Sequence, residues 1–307
     1  MSLRALAKRV PGARWVYNHL VHPDSVLIHP DSVLIPPDSL LIHPDSVLWG
    51  YGKRETYIGE FAEFIAYRKR IESDAAREMV ERANAQFPGG WGGNVYRQLN
   101  EQLLETFRPL HGDSTDEETL QSYLFYEEFH FLRMISYSIP TPDDLRPIME
   151  RLENKKSVGI VDYGCGLATR TIALTRYLRA KGVKVRLHLV DIRRPLYLAF
   201  LDFICARADI PYQFIEVSVD NPYPELPPHD YCDNVSVMEH IREPLTVLAN
   251  TDRALAKGGL LLALVDDTIH EIMHISPSLG AVRSRLKELR YQEIAEVYGT
   301  PLFQKPF

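Results

Sequence analysis

The stretch Val158-Gly159-Ile160-Val161-Asp162-Tyr163-Gly164-Cys165-Gly166-Leu167-Ala168 decides the fold. It reads as an apolar strand that runs into a glycine turn and then into a helix. Glycines at 164 and 166 let the backbone turn sharply and let a ligand approach the main chain closely. A dinucleotide fingerprint would carry a third glycine at position 169, where this chain has Thr169, so the nicotinamide reading loses ground.

Downstream of that turn, apolar strands and helices alternate, the pattern of a parallel sheet with crossover helices. Strands are expected over residues 157–163, 186–192, 212–217, 231–238 and 260–266, and helices over 168–180, 195–208 and 244–255. Residues 291–298 and 302–305 can supply two final strands. The second strand, Leu187-His188-Leu189-Val190-Asp191-Ile192, closes on an acid about one crossover unit beyond the glycines. A carboxylate at that place can accept hydrogen bonds from both ribose hydroxyls of an adenosine ligand.

With these two elements the chain resembles the class I S-adenosylmethionine-dependent methyltransferase family. Three further stretches carry the resemblance. Residues 230–241, Asp-Tyr-Cys-Asp-Asn-Val-Ser-Val-Met-Glu-His-Ile, look like the family's fourth strand, which commonly begins with Asp and ends in Glu-His. Arg253-Ala254-Leu255-Ala256-Lys257-Gly258-Gly259 is similar to the turn before its fifth strand. Asp220, after Glu216-Val217-Ser218-Val219, stands where the family often has an acid near the adenine. Ala168 departs from the pattern by replacing a frequent third glycine.

The resemblance covers residues 157–307 and implies a Rossmann-like α/β sheet with helices on both faces, preceded by a mostly helical region and a short heptapeptide repeat. It implies S-adenosylmethionine as cofactor. Asp162, Gly164, Cys165 and Gly166 would shape the methionine end, Asp191 would bind the ribose, and Ile192, Val219 and Asp220 would surround the adenine. Met238, the last residue of the expected fourth strand, joins that cofactor set. The cofactor's carboxylate would lie near the N-terminus of the helix starting at about Ala168, where free N–H groups and the helix dipole favour an anion.

On the acceptor side, ligands bind outside the carboxyl ends of parallel strands, which places His240 and then His270 as candidate bases. Neither a metal ion nor an identified acceptor follows from the residues. His270-Glu271-Ile272-Met273-His274 is a literal H-E-x-x-H, the zinc-hydrolase motif, but it needs a helix and a third ligand. Here it directly follows the expected fifth strand. The remaining rival is a non-catalytic cofactor-binding or scaffold protein.

Upstream, residues 22–49 hold four near-identical units, HPDSVLI, HPDSVLI, PPDSLLI and HPDSVLW. A proline in every unit excludes a coiled coil, and four short units make too little of a solenoid, so tandem duplication is the preferred reading. From 51 to 153 the pattern turns helical, with Phe61, Phe64, Ile65, Ile71, Ala75 and Met79 at three- and four-residue spacing. An aromatic-rich stretch follows over 117–138, and Pro142-Asp143-Asp144 starts another helix. Glu127 and His130 form an E-x-x-H pair, but a di-iron bundle needs a second copy and two more carboxylates. These boundaries give an N-terminal segment (1–50), a helical cap or lid (51–153) and a catalytic domain (154–307).

The 307 residues, 45% of them hydrophobic, are enough for one large core and a second smaller one. A net charge of −6 without a long Lys/Arg run lacks the electrostatic footprint of nucleic-acid binding. A small-molecule acceptor is therefore favoured, with oligomerisation left open. Cys165, Cys205 and Cys232 are far apart and form no CxxC pair, which fits a reducing compartment. No secretory signal or spanning helix is readable, so a cytoplasmic protein with no membrane partner is expected.

Overall fold

The computed structural model describes residues 58–85, 110, 115–125, 131, 140–265, 274–275, 279–297 and 299–307. The heptapeptide units, the Glu127/His130 pair and His270 lie outside these residues. Among the described residues, no helix is long and apolar enough to cross a membrane.

The chain divides into two compact units. The larger is built on a seven-stranded sheet of order β3-β2-β1-β4-β5-β7-β6. Its first strand, β1 (Ser157–Tyr163), is exposed only at Ser157, as expected of a parallel strand covered on both faces. It pairs in parallel with β2 (Lys184–Ile192) on one side and β4 (His229–Asn234) on the other. β3 (Tyr212–Val217) extends the sheet beyond β2, and β5 (Leu255–Ala263) extends it beyond β4, again in parallel. The direction of winding reverses between β1 and β4, which creates a crevice at their carboxyl ends. The expected tail strands are present as β6 (Gln292–Val297) and β7 (Thr300–Gln304), an antiparallel hairpin whose β7 edge pairs antiparallel with β5.

Two of the expected strand boundaries are corrected. β4 stops at Asn234 rather than Met238, because Ser236 takes a left-handed φ of 57° and Met238–His240 form a 3-10 turn. β5 starts at Leu255 rather than 260, directly after its preceding helix, and a register irregularity between His229 and Tyr231 accommodates residues 256–259.

Helix α4 (Pro142–Leu152) begins at the forecast place: Thr141 caps it, with Asp144 reaching back to the Thr141 amide at 2.8 Å and Pro142 in the first turn. It packs on α5 (Thr169–Ala180), the β1-to-β2 crossover, while α7 (Pro244–Ala254), the β4-to-β5 crossover, packs on α8 (Gly280–Glu288). Right-handed crossovers leading away from the switch point in opposite directions put α5 and α7 on opposite faces. A core of Val161, Val190, Cys232, Val247, Leu261, Val282 and Phe303 lies within this unit. Helix α3 (Asp116–Phe125) contributes Asp116, whose carboxylate accepts the Tyr223 hydroxyl at 2.7 Å.

The smaller unit gathers α1 (Ile58–Lys69), α2 (Ser73–Ala85), Phe131 and α6 (Pro195–Arg207), the segment between β2 and β3. Aromatic rings hold it together: Phe61 stacks on Phe200 at 4.8 Å and meets Phe131 edge-on at 5.0 Å, while Phe64 meets Phe200 at 5.4 Å. An ion pair between Arg207 and Glu63 ties α6 to α1. The periodicity read for α1 holds at Phe61, Phe64 and Ile65. In α2 the buried positions are Ala76 and Val80, not Ala75, which is exposed. Arg70, with φ of 52°, breaks the helix and resets its phase.

Candidate functional site

The glycine turn is held against the end of β2 by main-chain bonds. The amides of Gly164 and Cys165 donate to the Val190 carbonyl at 2.7 and 3.2 Å. Gly166, with φ of 51°, donates its amide to Oδ2 of Asp191 at 2.8 Å. The same carboxylate accepts from its neighbour Ile192 N at 2.7 Å through Oδ1 and from Arg194 through Oδ2. Asp191 and Arg194 side chains are 8% and 13% exposed, so the pair is screened from bulk water. Cys165 is buried beside this carboxylate, and burial followed by the Asp191 charge pushes its thiol well up, leaving it neutral and unreactive.

Gly164 is required for a reason other than ligand approach. Its φ is 70°, and a Cβ added there would stand 2.4 Å from Cγ2 of Val237. The loop after β4 therefore packs directly on the turn after β1. Met238, wholly buried, and the 3-10 turn follow immediately.

Asp162 stands two residues before Gly164. It is buried, and Thr171 Oγ1 in the first turn of α5 donates to it at 2.5 Å. Desolvation and the neighbouring Asp233 charge push its carboxyl well above the usual range. Asp233 itself is clamped by Arg170 through two bonds of 2.9 Å and accepts the Tyr231 hydroxyl at 3.0 Å. Asp162 thus fixes the start of α5, a positioning role.

One residue beyond the Asp162/Asp233 pairing, at the carboxyl ends of β1 and β4, stand Tyr163 and Asn234. The Tyr163 hydroxyl and both amide atoms of Asn234 are buried, with no hydrogen-bond partner among the described residues. Such groups call for a polar ligand, water or a group outside the described residues. Val219 and Asp220 form the exposed tip of a tight turn after β3, closed by reciprocal bonds between Ser218 and Asn221 of 3.2 and 3.1 Å. Ile192, at the end of β2, is half-buried. The structure therefore brings Gly164, Cys165, Gly166, Asp191 and Ile192 into one contiguous group, with Met238 behind Val237, and places Val219 and Asp220 at the end of the adjoining strand.

On the other side of the switch point, Glu239 and His240 belong to the 3-10 turn. The Ile275 amide donates to the Glu239 carbonyl at 2.8 Å, which brings His274 beside them. The His240 and His274 rings meet edge-on at 5.1 Å.

No family model and no curated protein matches the sequence. Solved structures do. The chain is similar to class I methyltransferases. One is a putative class I S-adenosylmethionine-dependent methyltransferase from Listeria monocytogenes, 17% identical over 81% of this chain and 86% of that one, with a TM-score of 0.42. A second is an O-methyltransferase family protein from Burkholderia thailandensis, 12% identical over 85% and 91%, with a TM-score of 0.45. A third is an O-methyltransferase of neocarzinostatin biosynthesis in complex with S-adenosylmethionine and 2-hydroxy-5-methyl naphthoic acid, 12% identical over 81% and 92%, with a TM-score of 0.43.

Sequence reasoning missed Arg194, Val237, Thr171 and the Arg170–Asp233 pair. Thr171 was findable, since a hydroxyl in the first helical turn commonly satisfies a nearby strand acid. Arg194 depends on the bend after β2, and the others on long-range pairing that no local pattern announces.

Proposed function

We propose that this chain is an S-adenosylmethionine-dependent methyltransferase acting on a small-molecule acceptor. The observation that carries the reading is the bond from Gly166 N to Asp191 Oδ2, which joins a glycine turn and a strand-end acid into one surface at a topological switch point. The unsatisfied Tyr163 hydroxyl and Asn234 amide beside it fit a polar ligand such as the amino-acid end of the cofactor.

In this reading Asp191 takes the ribose hydroxyls, and Ile192, Val219 and Asp220 flank the adenine. Gly164, Cys165 and Gly166 lie under the methionine portion, with Met238 supporting Val237. When bound, the cofactor supplies an activated methyl group. The protein's own contribution is to align the acceptor with that carbon and to exclude competing nucleophiles. His240 stands on the acceptor side as the first candidate base, and His270, the second candidate, lies outside the described residues. The helical region 51–153 is read as the cap or lid that binds the acceptor. The net charge of −6 favours a small acceptor over nucleic acid, and buried free cysteines suit a cytoplasmic protein.

The test is to incubate the full chain with S-adenosylmethionine and a panel of hydroxyl-, amine- and carbon-acid acceptors and to measure S-adenosylhomocysteine. Turnover with at least one acceptor, lost in Asp191→Ala that circular dichroism shows to be folded, supports the reading. Absence of cofactor binding by the folded protein refutes it.

A further inference from the structure

We propose that Glu239, His240 and His274 form a binding site for one first-row divalent cation such as Zn²⁺, Co²⁺, Mn²⁺ or Fe²⁺. The ligand atoms of the three side chains all lie within 4.8 Å of one another. Ligands held 2.0–2.2 Å from a common ion stand roughly 3.0–3.5 Å apart, so small side-chain rotations bring this group to coordination distance. The backbone already holds it together: the Ile275 amide bonds to the Glu239 carbonyl at 2.8 Å, and the His240 amide bonds to the Val237 carbonyl at 2.8 Å.

The donor set selects the metal. Two imidazoles and one carboxylate suit borderline cations, whereas Mg²⁺ and Ca²⁺ prefer oxygen alone. Glu239 is only 5% exposed, so its carboxylate offers a ligand atom sheltered from bulk water. Sequence reading set a metal aside because H-E-x-x-H had no evident third ligand. The fold supplies a different set, in which His274 leaves that motif to join a Glu-His pair located 34 residues earlier.

Three protein ligands leave coordination positions open to water or to an oxygen of the acceptor. Resting on the methyltransferase reading, the ion would hold the acceptor at the carboxyl end of β4. His240 would then be a metal ligand, and its lone pair would not be available to take the acceptor's proton.

The experiment uses the chelator-treated full chain. Metal content after dialysis against Zn²⁺ and titration calorimetry with Co²⁺ are measured for wild type, His240→Ala, His274→Ala and Glu239→Gln, with circular dichroism to confirm folding. Co²⁺ absorption bands report imidazole ligation directly. The expected result is one ion per chain in wild type, with affinity reduced at least about ten-fold by each histidine substitution and with Co²⁺ bands lost. If folded wild type binds no ion, or if binding is unchanged in both histidine variants because other histidines capture it, the proposal is overturned. S-adenosylhomocysteine binding is titrated in parallel. Nucleoside binding without metal removes the metal site and leaves the cofactor reading intact, and metal binding without nucleoside does the reverse.

Discussion

The Gly166 amide and the Asp191 carboxylate are joined by a 2.8 Å hydrogen bond, and Arg194 donates to the same carboxylate oxygen. The site is therefore assembled before any ligand arrives, but its acid is already engaged.

A ribose that takes both Asp191 oxygens must displace Arg194. Arg194→Ala removes that competitor and is expected to tighten S-adenosylhomocysteine binding by about ten-fold, corresponding to roughly 1.4 kcal/mol. Calorimetry on the variant measures it. Weaker binding would show that Arg194 contacts the ligand rather than competing with it.

Gly164→Ala forces an L-residue to φ of 70° and pushes a methyl to within 2.4 Å of Val237. The left-handed conformation alone costs about 1–2 kcal/mol, and overpacking adds about 1–3 kcal/mol. Urea denaturation should show a loss of at least about 2 kcal/mol. Adding Val237→Ala should relieve the steric part in the pair. A double variant no better than the sum of its singles would place the constraint elsewhere.

Asp162 gives the fold a pH dependence with a definite sign. Its folded pKa is raised above the unfolded value of 3.8, first by desolvation and then by Asp233. The folded state then holds a proton that the unfolded state releases, so stability falls as pH rises from about 4 towards the folded pKa. In Asp162→Asn this fall disappears while the Thr171 hydroxyl keeps an acceptor. Melting curves of both proteins between pH 4 and 8 should converge at the acid end, with the variant relatively more stable at the alkaline end. Parallel curves would mean that Asp162 ionises freely in the folded state.

Much of the sheet was legible: β1 carries the apolar run Val158–Val161 before the glycine turn, β3 is a short β-prone segment from Tyr212 to Val217, and both strands fall at the forecast positions. The ends of β4 and β5 were less legible. Ser236 is compatible with a strand, and no local pattern announces its left-handed turn, after which Val237 packs on Gly164. Likewise the apolar residues of α6 suit any crossover helix, and their sequence does not say that Phe200 will share an aromatic cluster with Phe61 and Phe131. For the site, Asp191 was readable from its place at a strand end. Arg194 was not, because its i+3 spacing carries no meaning until the chain bends after β2.

Arg170 is the counter-charge for Asp233, which is wholly buried. Arg170→Ala leaves that carboxylate uncompensated and should cost about 3–5 kcal/mol, read by chemical denaturation. A loss below about 1 kcal/mol would reduce the pair to a surface-like contact. Because Arg170 lies in the first turn of α5, cofactor affinity should also fall in the surviving folded protein.

The central claim is that the Gly166–Asp191 unit binds the nucleoside of an S-adenosyl cofactor, and titration calorimetry of S-adenosylhomocysteine against wild type and Asp191→Ala tests it most directly. Wild type is expected to bind one equivalent. The variant, with its fold verified by circular dichroism, should lose about 1.5–3 kcal/mol, or roughly 10- to 150-fold in affinity. Folded wild type that does not bind, or a variant that binds as tightly as wild type, would contradict the account.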